Sequence, residues 1–379
     1  MTAKRDTWQA WFALFFLGLA VALPLGADGR VYLIGATTDT GRLLFVGVSF
    51  LVAFAAIRPA APSVASLFLA FVAHAGATLA LVVLPEVDGA AGPGFWALVV
   101  ANWLLAWSLV VHLSSARPAQ PFGAWLGRMV VPAIFGIWVL ILWEVLVRGF
   151  AVPTVILPPP SAIWARIADS QPILWADFQQ TFMRAVLAGY VIGCLAGFLV
   201  ALVADRSPFL RKGLLPIGNL VSALPIIGIA PIMVMWFGFD WQSKAAVVAV
   251  MTFFPMMVNT VAGLNATDPV HRDLMRTYAA DGRQEVALLK LPAAMPFIFN
   301  ALKINTTLAL VGAIVAEFFG TPIVGMGFRI STEIGRLGVD MVWAEIAVAA
   351  LAGSAFYGVM ALFERVVTFW HPSVRQGRT

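Results

Sequence analysis

Charged side chains inside long apolar runs are where this chain's residue types and spacing could do chemistry. Glu144 lies near the end of one run, in WEVLVR, with Arg148 four positions on. That spacing places an ion pair along one helix face. Lys303 lies about two and a half turns into another run, and its long stem can snorkel toward an interface. Glu317 closes the same run, in VAEFFG. It either reaches the opposite interface or pairs across a seam with a second copy, as a dimer or gate group. A charge at bilayer depth costs about 2.5–3.5 kcal/mol on insertion scales, so each of these needs an explanation. Together they do not form the carboxylate relay of a proton-driven pump. The sequence also lacks a Gly-rich phosphate cradle, a His–carboxylate pair at helical spacing and a nucleophile elbow. The four histidines show no metal-ligand spacing, and the lone Cys194 reads as a small buried hydrophobe. These absences point away from an enzyme and from any metal or cofactor held by this chain.

The elements that position these groups follow from composition. Hydrophobic residues make up 61% of the 379 positions and charged residues 11%, against about 25% charge in soluble domains. Long uncharged runs describe membrane helices and exclude the alternating pattern of a β-barrel. At about 20 apolar residues per crossing, ten spans are expected. The first four are roughly 8–25, 42–57, 64–84 and 95–113, and the rest roughly 129–147, 182–204, 214–237, 244–265, 294–318 and 342–363. Alternating the loops with the N-terminus inside gives one side roughly twice as many Lys and Arg as the other, which places both termini in the cytoplasm. Lys4, Arg5 and Ala20–Val21–Ala22 imitate a signal peptide, but the apolar run continues to Leu25, too long for one.

The Pro- and Gly-punctuated loop Ser114–Arg128 separates two blocks. Residues 1–125 read as an accessory module of about four helices and 126–379 as the working core. In the loop after the fifth span, Ser161 is placed to cap a short amphipathic helix with Ile163, Trp164 and Ile167 on one side. The seventh span is interrupted by Pro225 and Pro231. Non-helical backbone at membrane depth is tolerated where protein or a water-filled cavity satisfies it, and broken helices often line substrate paths. Pro225, Ile227, Ile229, Pro231, Met233, Met235 and Trp236 are therefore the candidate pathway residues.

Between the eighth and ninth spans, residues 268–292 contain no span-length apolar run. Asp273, Arg276, Asp281, Arg283, Glu285 and Lys290 give a solvated face, while Leu274, Met275, Tyr278, Leu288 and Leu289 are apolar. The pattern predicts a helix–turn–helix of about 20 residues, divided at Gly282 and stopped by Pro292. Its apolar side chains have no bilayer to bury them, so it reads as a docking knob for a partner.

This loop resembles the EAA motif of binding-protein-dependent ABC permeases, E-A-A-x3-G-x9-I-x-L-P. Counting back from Leu291-Pro292, Leu289 takes the Ile place, Ala279 the Gly place and Asp273 the Glu place. Leu274 and Met275 stand for the alanines and Arg276 for the Arg often found next. WEVLVR…LPPPSAIW, SALPIIGIAPIMVMWFG, FFPMMVNTVAGL, LPAAMPFIFNALKI and GAIVAEFFG also look like successive segments of the nitrate/sulfonate/taurine permease subfamily. The resemblance implies an all-α polytopic inner-membrane protein, with a type I ABC-importer permease core of about six helices and four extra N-terminal ones. It implies two permease copies, two ATP-binding subunits that dock on the loops and carry ATP and Mg, and a periplasmic substrate-binding protein. The solute would be sulfonate-, nitrate- or taurine-like, or a pyrimidine or thiamin-precursor heterocycle. An ion-coupled secondary transporter is the alternative class. It predicts mid-span carboxylates and inverted repeats, neither of which is evident.

Overall fold

The computed structural model describes residues 8–29, 31–33, 46–53, 73–77, 79–81, 90–115, 121–222, 225–320 and 323–370. Of the expected spans, half of 42–57 and most of 64–84 lie outside these residues. Among the described residues the fold is helical, and the β pairing is confined to the isolated bridges Pro24–Tyr32 and Gly26–Ala91. Six helices there are long and apolar enough to cross a membrane. The chain divides into two compact units, Met1–Ala162 and Ile163–Thr379.

In the first unit, α1 (Trp8–Ala22) packs on α2 (Pro93–Ser115), and α3 (Pro121–Gly149) also packs on α2. Ala10, Ala13, Leu17 and Ala20 recur at three- and four-residue steps and are all buried, so small side chains let the α1 and α2 backbones approach. The segment after α1 is fixed by Leu25 N–H to Val31 O at 2.6 Å and Gly92 N–H to Leu25 O at 2.6 Å. The expected Glu144–Arg148 pair is present at 3.2 Å. Glu144 also accepts from Ser161 N–H at 2.9 Å and from Ser161 Oγ at 2.7 Å. This corrects the role expected of Ser161. α4 (Pro160–Asp169) begins one residue earlier, so Ser161 lies inside its first turn and the Glu144 carboxylate caps it. Ile163 is buried and Ile167 partly so, whereas Trp164 is 72% exposed and does not share their side.

In the second unit, α5 (Gln171–Phe178), a π-helical stretch Gln179–Val186 and α6 (Leu187–Arg206) form one continuous helix of 36 residues. It starts well before the expected 182, because the polar residues at its start have protein partners. α9 (Trp241–Asn265) is the centre of the unit, flanked by α6 and by α12 (Leu291–Glu317). Glycines at 189, 193 and 197 on α6 make this possible. A Cβ on Gly193 would stand 2.1 Å from Thr252 Oγ1, and one on Gly197 2.4 Å from Phe253 O. Asn305 Nδ2 crosses to Thr252 O at 2.8 Å and to Cys194 Sγ at 3.2 Å. The Lys303 ammonium binds Glu364, in the last turn of α14 (Val339–Val367), at 2.6 Å.

The seventh span is two helices, α7 (Pro208–Ser222) and α8 (Ile226–Phe237). Pro225 is the extended N-cap of α8, while Pro231 is inside the helix and does not break it.

Candidate functional site

The second unit carries two sites at opposite ends of α12. The first is the projecting knob. Asp268 caps α10 (Pro269–Thr277) by accepting from Val270 N–H at 2.9 Å. A turn follows, then α11 (Gly282–Gln284), whose first amides are closed by a capping box: Asp281 Oδ1 accepts from Gln284 N–H at 2.7 Å, and Gln284 Oε1 from Asp281 N–H at 2.9 Å. The left-handed residue of the turn is Ala279, with φ 53°. Gly282, expected to divide the helices, opens the second one instead. Asp281 satisfies that helix, so the reversal is completed before Gly282.

Pro292 does not stop the second helix. Residues Glu285–Lys290 form a π-helical turn, with Leu291 N–H bonded to Val286 O, and the chain continues into α12. The wide turn displaces the carbonyls that the Pro292 ring would strike in a regular helix. Gly282–Glu317 is thus one helix of 36 residues. Its root is tied to α6 by Lys290 Nζ to Asp205 at 2.9 Å. On the knob Asp273, Leu274, Arg276, Tyr278, Ala279, Gly282 and Leu288 are exposed, while Met275, Leu289 and Pro292 are half-buried. Tyr278 is 79% and Leu288 70% exposed. Arg276 and Asp273 are 3.5 Å apart and both exposed, so that pair adds little to stability.

The far end of α12 is a buried polar network. Glu317 is 2% exposed. Thr181 Oγ1 donates to its Oε1 at 2.7 Å and Gly327 N–H to its Oε2 at 2.7 Å. Met326 N–H donates to Thr181 Oγ1 at 2.8 Å, and Gly325 N–H to Asp177 Oδ1 at 2.6 Å. Three successive amides at the start of α13 (Met326–Gly335) are therefore capped by side chains of other helices. Arg329 Nε adds a bond to Asp177 at 2.8 Å. Lys244, fully buried, donates to Phe239 O at 2.6 Å and to Gly320 O, tying the turn after α8 to the turn after α12.

In the sequence Glu317 stands alone, with no neighbouring carboxyl group to mark a cluster. The structure brings Asp177, Glu317 and Glu345 together. Asp177 lies before the apolar run that starts at 182, so no charge within a span marks it. Glu345, a single charge within 342–363, carries the same signal as Lys303 and was missed.

Of the pathway candidates, Pro225, Ile227, Pro231, Met235 and Trp236 are exposed and Ile229 and Met233 half-buried. They flank the buried Ala230 and Val234, and Ala230 packs against Val247 and Ala316. Beyond the end of α8 is a cavity of about 670 Å³ lined by Gln180, Arg184, Phe239 and Asp240. Gln180 Nε2 donates to Asp240 at 2.8 Å and Arg184 Nη1 to Gln180 at 3.1 Å. The Gln180 bond, with Trp241 N–H, holds the Asp240 carboxyl below the ordinary carboxylate range.

Helices long and apolar enough to cross a membrane, one interrupted apolar helix and a projecting helical knob define an all-α polytopic membrane protein. Residues 189–369 match the binding-protein-dependent transport system inner membrane component family. Over that stretch the chain is similar to ABC-transporter permeases, and its six long apolar helices among the described residues are those of a multi-pass membrane protein. It is 29% identical over 242 residues to the formylaminopyrimidine transport permease protein ThiX of Halalkalibacterium halodurans, covering 63% of this chain and 95% of that one. It is 28% identical over 239 residues to the riboflavin transport system permease protein RibX of Chloroflexus aurantiacus, covering 62% and 87%. It is 27% identical over 258 residues to the taurine transport system permease protein TauC of Escherichia coli, covering 66% and 93%. That last alignment is longer than the whole second unit, so it takes in residues before Ile163. The family implies an ATP-binding subunit and a substrate-binding protein as partners.

Proposed function

We propose that this chain forms the substrate pathway of an ABC importer whose ATP and Mg are bound by a separate subunit. The observation that carries this is the knob: exposed Val270, Leu274, Tyr278 and Leu288 on a capped helical projection between two membrane helices. Each apolar side chain contributes about 1.5–3 kcal/mol if fully buried in a partner's groove, and the knob's charges orient it without supplying most of the affinity.

The helix from Gly282 to Glu317 is the transmission element. Leu288 and Glu317 are about 43 Å apart along a straight helix. A push on the knob in the cytoplasm reaches the caps of α13 on the outer side through this one element. One π-helical turn, Glu285–Lys290, lies near its knob end and another, Gln179–Val186, packs against it, and such turns absorb a change of register. α8 and the cavity beyond it would line the path, with a second copy of this chain completing it and a periplasmic binding protein delivering the solute. The permease core begins near residue 126, which the length of the taurine-permease alignment supports. The four helices before it are accessory. The solute is a small one of the kinds the relatives carry, an organosulfonate or a pyrimidine-like heterocycle.

The test is to express Tyr278→Asp and Leu288→Asp with the ATP-binding partner. Each places an unpaired charge in a buried contact while leaving membrane insertion intact. Loss of co-purification and of stimulated ATP hydrolysis is expected; full assembly and full ATP-driven uptake in both variants would remove the main support for this reading.

A further inference from the structure

Glu345 lies in the second turn of α14 with 0% of its surface exposed, and neither carboxyl oxygen accepts a hydrogen bond among the described residues. Its carboxyl faces that of Asp177 on α5, with Arg329 of α13 and Glu317 of α12 around it. The donors nearby are already committed. Arg329 Nε and Gly325 N–H go to Asp177, and Thr181 and Gly327 N–H go to Glu317. The Lys244 ammonium acts on Glu317 through space and binds two backbone carbonyls. Three carboxyl groups thus share two cations, and Glu345 is the one that no donor reaches: Arg329 acts on it only through space, while its Nε bonds Asp177. A carboxylate in that position loses its hydration with nothing to replace it, and such groups neutralise. Two carboxyl groups face to face also have no donor between them unless one carries hydrogen.

We propose that Glu345 and Asp177 hold one proton between them, the Glu345 carboxylic acid donating to the Asp177 carboxylate. The proton is taken from solvent; only an O–H bond forms, and no electron pair leaves the pair of carboxyl groups. It is in effect a ligand of the α13 seat. Without it, two adjacent negative charges meet at Asp177, the residue that holds both Gly325 N–H and Arg329.

Infrared difference spectroscopy on the full chain in lipid nanodiscs at neutral pH tests this, comparing wild type with Glu345→Gln. The amide keeps a donor toward Asp177 without needing a proton. The wild type should show a carboxylic-acid carbonyl band that disappears in Glu345→Gln. A band missing from the wild type, or unchanged in the variant, overturns the proposal. Wild type grown with carboxyl-labelled glutamate gives a second measurement that needs no variant. The band should move with the heavier carbon, and a band that stays put overturns the assignment.

Discussion

Thr181 Oγ1 donates to Glu317 Oε1 at 2.7 Å and accepts from Met326 N–H at 2.8 Å, so one hydroxyl joins α12 to the first turn of α13. Thr181→Val keeps the shape and removes both bonds. Each buried group left unpaired costs about 1–3 kcal/mol. The variant should unfold at a clearly lower temperature in detergent, and Thr181→Ser should restore most of the loss. A Val variant as stable as wild type would mean that the caps of α13 do not hold it.

Gly193 should be nearly irreplaceable. Its Cβ would fall 2.1 Å from Thr252 Oγ1 and 2.4 Å from Ala249 O, which is backbone and cannot turn aside. Gly193→Ala should cost about 1–3 kcal/mol through overpacking. Gly228, in α8, has nothing within 4 Å of the same position, so Gly228→Ala should be neutral or gain about 0.5–1 kcal/mol in helix propensity. Thermal unfolding of the two variants side by side checks the contrast.

Ala279 in the left-handed region carries a strain that glycine does not. Ala279→Gly should relieve about 1 kcal/mol there, part of it offset by the greater freedom of glycine in the unfolded chain. Amide exchange across residues 278–284 should slow slightly in this variant and quicken in Ala279→Val. Faster exchange in the glycine variant would place the turn elsewhere.

Much of this was legible in the sequence because single residues declared it. The uncharged runs gave the membrane helices. Asp268, Asp281 and the exposed apolar residues between them gave the knob, and Glu144 with Arg148 gave a true ion pair. What stayed hidden depends on residues far apart in the chain. Asp177 and Gly325 are joined across 148 positions, and Thr181 and Glu317 across 136, so no local pattern announces them. Pro231 and Pro292 misled for a related reason. Proline removes one helical bond, but whether the helix ends depends on the turn around it, and the π-helical turn before Pro292 lets it run on. The steps of four between Gly189, Gly193 and Gly197 were visible and are the signal that would have placed α6 against α9.

Coupling between the knob and the pathway is tested most directly by thiol reactivity at position 227. Ile227 is 65% exposed on α8, well away in sequence from the knob. A cysteine there, in a Cys194→Ala background, is assembled with the ATP-binding partner and treated with a small water-soluble thiol reagent, with and without trapped ATP. The same measurement is made with Leu288→Asp added. With the knob intact, trapping ATP should change the rate; with Leu288→Asp the rate should no longer respond. A rate indifferent to ATP in the intact complex, or one that responds equally in both, would contradict coupling through the knob.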